Sequence, residues 1–136
     1  MHTLTNEDWR EFFFACTELL LPGNWTPVPV PGGSWCRFTT FDRLQTDAGY
    51  WGHGLPQHAD IALEYIKDGG VWGQPFRFAD LAHILIPRRV FWESQWSSQP
   101  YQCGEMVQEL VPLSEKLTEK GVQHRLSDLV LEIKLY

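Results

Sequence analysis

The sequence predicts an α+β fold: a mostly antiparallel sheet of about four to six strands with two helices packed on one face, in a single domain spanning residues 1–136. Three observations lead to it. An amphipathic helical stripe opens the chain, a second apolar stripe ends on a glycine near residue 121, and short alternating or fully apolar segments lie between and after them.

Thr5 can cap the first helix, with Asp8 three residues later in the reciprocal capping position. Leu4 and Trp9 suit a hydrophobic staple across that cap. Trp9, Phe12, Phe13, Cys16, Leu19 and Leu20 then follow the spacing of one helical face. Phe14 lies off the stripe, where it either widens the buried face or is exposed. Pro22-Gly23 stops the helix, and Pro27-Val28-Pro29-Val30-Pro31 favours an extended connector over residues 22–33.

A strand is expected from about Ser34 to Phe41, followed by a long loop over 42–58 that carries Asp47-Ala48-Gly49 and Gly52-His53-Gly54-Leu55-Pro56. Asp60 to Lys67 alternates, with Ile61, Leu63 and Tyr65 on one face. Asp68-Gly69 is a two-residue hairpin turn signal that would set Tyr65 opposite Trp72 and Ile61 opposite Phe76. Pro75 confines its strand to an edge or a bulge.

Leu81 to Ile86 reads as a buried strand ended by Pro87. A second irregular segment over 87–101 carries Phe91, Trp92, Trp96 and Tyr101. A helix is expected from about Gly104 to Lys120, with Met106, Leu110, Leu113 and Leu117 on one side and a kink at Pro112. Gly121 suits the position after its C-cap, with Val122 as the apolar contact. The last strand, about Gln123 to Leu135, places Leu129, Leu131, Ile133 and Leu135 on one face and Val130, Glu132, Lys134 and Tyr136 on the other. Whether it pairs inside the sheet or at its edge is open.

Seventeen acidic residues against eleven Lys and Arg give a formal charge of −6. That balance argues against nucleic-acid binding, which needs a basic face to displace counterions, and suits a basic partner. No signal-peptide pattern or membrane-length apolar run occurs. Cys16, Cys36 and Cys103 are odd in number and lack metal or redox spacing, so a reduced, cytoplasmic protein is expected, in which the Asn24-Trp25-Thr26 sequon stays unused.

Catalytic constellations are sparse. His53, His58 and Asp60, with His83 as a distant fourth, offer zinc-type ligands, but the spacing matches no established pattern, and exposed loop histidines are the plainer account. Cys16 and Cys36 read as buried packing residues. Cys103, expected just before the second helix, could have its pKa lowered by the helix N-terminus. Glu105 with Glu109, and Glu115 with Glu119, have the spacing of a solvated helix face, although a glycosidase pair is set by spatial separation that a sequence does not show. No phosphate-binding, dinucleotide or nucleophile-elbow motif occurs, and no cofactor is implied.

Seven Trp, eight Phe and four Tyr exceed what one small core obviously needs. Those on the helix stripe and in strands read as core. Tyr50, Trp51, Phe91, Trp92, Trp96 and Tyr101 fall in the two irregular segments among acids, the composition of an interface centre. Asp47, Tyr50, Trp51, Glu93 and Trp96 are the partner-binding candidates.

Asn6-Glu7-Asp8-Trp9-Arg10-Glu11 opening the first helix, the strand from Asp80 to Pro87, and the helix stop and terminal strand over Gly121 to Tyr136 together resemble the small acidic immunity proteins of bacterial polymorphic and contact-dependent toxin systems. The resemblance is one of pattern and assigns no residue a role. It implies a non-enzymatic protein, a monomer or small homo-oligomer, that neutralises a cognate toxin domain by covering its active site. The other readings are a small-ligand or carbohydrate-binding module using exposed rings, and a metal-dependent enzyme around His53, His58 and Asp60.

Overall fold

A computed structural model describes residues 3–21, 33–67, 75–94 and 100–136. Three α-helices and nine strands lie within them: α1 (Asn6–Leu19), β1 (Cys36–Thr40), α2 (Phe41–Thr46), β2 (Trp51–His53), β3 (Tyr65–Ile66), β4 (Phe76–Arg77), β5 (Leu81–Pro87), β6 (Arg89–Ser94), β7 (Gln102–Val107), α3 (Leu110–Glu119), β8 (Arg125–Leu126) and β9 (Val130–Lys134). Five strands form an antiparallel sheet in the order β2-β1-β5-β9-β8, and two small two-stranded sheets pair β3 with β4 and β6 with β7. The fold is α+β, as the sequence predicts. The Pro22-Gly23 stop, the proline-rich run, the sequon, the Asp68-Gly69 turn, Trp72 and Trp96 lie outside the described residues.

Helix α1 forms as its cap dictates. The Asp8 N–H donates to Thr5 Oγ1 at 3.1 Å and the Thr5 N–H donates to Asp8 Oδ2 at 3.0 Å. Trp9, Phe12, Phe13, Ala15 and Cys16 are buried, and Leu4 packs against the same core. Phe14 is half-buried and stacks on the His58 ring at 4.7 Å, so it widens the buried face. The stripe fades at Leu19, which is exposed.

The sheet register sorts its two faces. Phe38 pairs with Ile84 and Ile84 with Ile133, while Ile86 pairs with Leu131. Because side chains alternate along a strand, these residues share one face. That inner face joins the buried residues of α1 and α3 in one core. Strand β5 has neighbours on both sides, which accounts for its near-continuous apolar run. The single last strand expected over Gln123 to Leu135 is instead two. β8 turns back through residues 127–129 to pair with β9, and β9 also pairs with β5, so it lies inside the sheet with β8 at the edge. Leu131, Ile133 and Leu135 keep the expected phase, but Leu129 sits in the β8–β9 turn and is exposed.

Four local readings of the sequence change. First, 42–58 is not one long loop. Thr40 caps α2 by accepting from the Arg43 N–H at 3.2 Å, and β2 and a 3₁₀ turn at His58–Asp60 follow. Second, the segment from Asp60 to Lys67 folds back on itself. The Ala62 N–H donates to the Tyr65 carbonyl at 3.0 Å and Ile61 bridges Ile66. This four-residue turn interrupts the alternation, so Ile61 and Ile66 are buried while Leu63 and Tyr65 are exposed. Tyr65 consequently pairs with Arg77 instead of Trp72, and Phe76 with Ile66 instead of Ile61.

Third, the irregular segment over 87–101 and the start of the expected second helix are the two arms of a ribbon. β6 and β7 pair from Arg89↔Val107 to Ser94↔Gln102. Gly104 lies opposite Trp92, and a Cβ there would stand 2.8–2.9 Å from the indole, so only glycine admits the ring at that point. Fourth, α3 starts at Leu110, which puts Pro112 in its first turn, where a missing N–H breaks no helical bond. No kink is needed. At its far end Gly121 has φ +74°, the Val122 N–H donates to the Leu117 carbonyl at 2.9 Å and the Gly121 N–H to the Thr118 carbonyl at 3.1 Å: the Schellman stop the sequence predicts.

The ribbon is tied to the sheet by Gln108, a buried polar residue at its exit. The Trp35 N–H donates to Gln108 Oε1 at 2.8 Å, and Gln108 Nε2 donates to the carbonyls of Trp35 at 3.0 Å and Pro87 at 2.9 Å. One side chain thus serves both backbone groups of Trp35 as a neighbouring strand would.

Candidate functional site

Two surfaces stand clear of the core. The first is one face of the β6–β7 ribbon. Alternation along the two arms brings Arg89, Phe91, Glu93, Tyr101, Cys103, Glu105 and Val107 to the same side. Phe91 is 73%, Tyr101 57% and Val107 54% exposed. The Tyr101 hydroxyl donates to Glu93 Oε2 at 2.8 Å, which pushes the phenol up to about 12, and Glu105 sits 3.3 Å from the Arg89 guanidinium. The face therefore offers two rings and a valine alongside two carboxylates, one of them paired with Arg89. On the opposite side Val90 is buried and Trp92 half-buried.

The second is the outer face of the five-stranded sheet, turned away from the core. Register places Arg37, Leu85, Glu132 and Arg125 in one row and Thr39, His83 and Lys134 in the next. His83 is 7% exposed and lies between two partners: Glu132 Oε2 is 2.7 Å from Nε2, and the Tyr50 hydroxyl is 2.8 Å from Nδ1. The Tyr136 hydroxyl, on an exposed residue, is 2.9 Å from that of Tyr50. Burial first, then the Tyr136 hydroxyl and the Glu132 charge, push Tyr50 up to about 12, so it remains a neutral phenol with a proton to give.

The residues named from sequence scatter across this frame. Tyr50 belongs to the His83 network. Asp47 closes α2, accepting from the Gly49 N–H and from Arg43 Nε, both at 2.9 Å, and these bonds, the Gly49 N–H first, hold its carboxyl below the usual range. Trp51 packs between Phe38 at 5.6 Å and Phe76 at 5.3 Å, with the Arg43 guanidinium 4.2 Å above its ring. Glu93 lies on the exposed ribbon face. Trp96 is outside the described residues.

The zinc-type candidates do not converge. His53 is buried beside the Gly54 carbonyl, 2.8 Å from Nδ1, His58 stacks on Phe14 at the surface, and Asp60 accepts from the Gln57 N–H at 3.0 Å. Among the described residues no group of three or more His, Cys, Asp or Glu is placed to hold a metal ion. Burial raises the Cys16 thiol well above its ordinary value and pushes Cys36 up to about 12, which denies both the thiolate that a nucleophile needs. Cys103 lies on the exposed face of β7, well before α3, so no helix N-terminus acts on it. Glu105 and Glu109 do not share a helix either, since Glu105 is in β7.

The sequence reading did not find the His83–Glu132–Tyr136 arrangement. Its one signal is that Glu132, Lys134 and Tyr136 fall on the solvent phase of the last strand, opposite its leucines. Their convergence on His83 and Tyr50 depends on strand order. No helix among the described residues is long and apolar enough to cross a membrane. In comparisons with known proteins, no family model matches the chain, and no curated protein or solved structure matches it.

Proposed function

We propose that this is a non-enzymatic binding protein that docks a basic protein surface on the exposed face of the β6–β7 ribbon, and, in its narrower form, an immunity protein that neutralises a cognate toxin domain. The observation that carries the reading is the exposure of Phe91, Tyr101 and Val107 on the same ribbon face as Glu93 and Glu105, in a protein of net charge −6. Aromatic anchors supply affinity where they are desolvated at the centre of an interface, and carboxylates around them steer a basic partner. Support for the narrower form is the pattern resemblance together with the acidic charge, which suits a toxin whose own site is basic.

The test starts from the neighbouring reading frame. If it encodes a large secreted protein with a variable C-terminal domain, that domain should co-purify with this chain. Phe91→Ala and Tyr101→Ala should each weaken the complex by roughly tenfold or more. Glu93→Lys should slow association and flatten its salt dependence. Unchanged affinity in all three variants, with their folds intact, would remove the ribbon as the docking face.

A further inference from the structure

Strand β8 covers only part of its partner. It pairs with β9 at Leu126↔Leu131 and Arg125↔Glu132, whereas β9 continues to Lys134. The same register would set Gln123 opposite Lys134, but the chain has already turned toward α3 there. His124 holds it in that direction: Nε2 lies 2.7 Å from Ser114 Oγ on α3, and Nδ1 lies 2.8 Å from the Val122 carbonyl. Between the diverging chain and β9 runs a groove of about 400 Å³, bordered by Leu4, His124, Arg125, Ile133, Lys134 and Leu135.

The backbone along this groove has bonds left to make. The Leu135 N–H donates to the Ala82 carbonyl at 2.9 Å, toward β5. Backbone groups alternate sides along an antiparallel strand, so the N–H and carbonyl of Lys134 point the other way, into the line of β8. No backbone group among the described residues takes them up. The side chains beside them differ by face. Arg125 and Lys134 are exposed on the outer face, and of the charged residues on the five strands only Glu132 is acidic. Glu132 is already engaged by His83 Nε2 at 2.7 Å, so the edge is basic in a protein of net charge −6. On the inner face Leu4, Ile133 and Leu135 give the groove an apolar wall.

We infer that this notch docks an extended acidic segment of a partner protein, which continues the line of β8 and pairs with the backbone of Lys134. The segment's residue opposite Lys134 exchanges both backbone bonds with it and points its side chain to the same outer face. An Asp or Glu there stands beside the Lys134 ammonium and two positions along the line from Arg125. The residues on either side of it point inward, toward Leu4, Ile133 and Leu135, and are apolar. The recognised pattern is therefore an alternation of acidic and apolar residues. The ladder supplies affinity, and the alternate side chains supply the choice of sequence. An edge strand with open N–H and carbonyl groups is a template for such pairing, and the charge of this one selects against a basic segment. The site is separate from the ribbon, whose carboxylates suit the opposite charge.

The test is titration of the full chain with an acetylated, amidated hexapeptide that alternates Glu and Val, followed by amide NMR. Saturable shifts centred on Arg125, Ile133 and Lys134 are expected, together with slower exchange of the Lys134 N–H as it gains a partner. The Lys-Val counterpart should bind roughly tenfold or more weakly. N-methylation of the Glu residues removes the N–H groups that face β9 and should abolish binding, whereas N-methylation of the Val residues, whose N–H groups face away, should leave the ladder intact. Arg125→Gln and Lys134→Gln, both exposed substitutions, should each weaken the Glu-Val peptide by roughly threefold or more. Equal affinity for the Glu and Lys peptides, unchanged Lys134 exchange at saturation, or equal loss from either pattern of N-methylation would each overturn the inference. So would protection of Lys134 that grows with protein concentration in the absence of peptide, which would assign the edge to a second copy of the chain.

Discussion

Strand β5 and the β6–β7 ribbon are consecutive in the chain, separated by one residue, yet they meet opposite fates. β5 lies between β1 and β9 and is buried along most of its length. The ribbon arms pair only with each other and turn Phe91, Tyr101 and Val107 outward. Both are antiparallel and both are rich in large apolar residues. Local composition thus decides that a segment extends, whereas the number of neighbours on its sides and faces decides what it buries. An exposed ring on the ribbon is then not a packing defect, because no second layer stands over that face among the described residues.

The most direct way to break this comparison is to remove one ring from each region. Phe12 is fully buried in α1, edge-on to Trp9 at 5.9 Å and to Phe13 at 5.0 Å. Phe12→Ala should cost roughly 3–5 kcal/mol, the transfer loss plus an unfilled cavity. Phe91→Ala should lie within about 0.5 kcal/mol of the parent, since its ring stays in water on folding. Urea midpoints at constant slope measure both. Comparable losses from the two substitutions would mean that the ribbon face is covered in solution.

A smaller effect is expected where the two regions join. Gln108 holds the backbone of Trp35 and the carbonyl of Pro87 at the point where β5 gives way to the ribbon and the ribbon to α3. Gln108→Leu keeps the bulk but leaves buried backbone groups without partners, at a cost of roughly 2–3 kcal/mol. If the junction couples the regions, amide exchange should accelerate in the ribbon as well as at Trp35. Acceleration confined to Trp35 would make the ribbon an independent unit.

What was legible in the sequence follows the same division. The cap and stripe of α1, the buried run of β5, the glycine stop of α3 and the phase of Leu131 to Leu135 are each set by residues within a few positions of one another, and all are found in the structure. Misreadings arise where two local signals compete or where a partner is remote. Met106 and Leu110 have helical spacing, yet Gln102–Val107 pairs with β6, a remote partner, with Gly104 leaving room for the Trp92 ring. Ile61, Leu63 and Tyr65 alternate, yet a turn centred on Leu63 and Glu64 closes first. For the candidate sites, Glu93 and its neighbouring rings were marked by composition. Tyr50, His83 and the pair Glu132 and Tyr136 come from three separate places in the chain, and only the strand order brings them together.

The smallest expected effect separates two tyrosines with the same displaced pKa. Tyr50 on the sheet and Tyr101 on the ribbon are both pushed up to about 12, Tyr50 mainly by burial and Tyr101 mainly by its bond to Glu93. A phenol whose folded-state pKa lies above the unfolded value of 10 contributes stability that is fully present below pH 10. That contribution is lost as pH rises toward 12, since the unfolded chain gives up the proton first. Glu93→Gln removes the charge and the strong acceptor beside Tyr101, so that phenol should fall back toward 10 while Tyr50 stays near 12. Phenolate absorbance resolves the two in a pH titration of the variant, with Tyr50→Phe identifying the remaining late-titrating ring. If Glu93→Gln shifts neither tyrosine, the Tyr101–Glu93 bond is not formed in solution and the exposed ribbon face lacks the order that the sheet imposes on Tyr50. If it shifts both, ribbon and sheet titrate as one unit, and the contrast between a face ordered by burial and one ordered by a single surface bond fails.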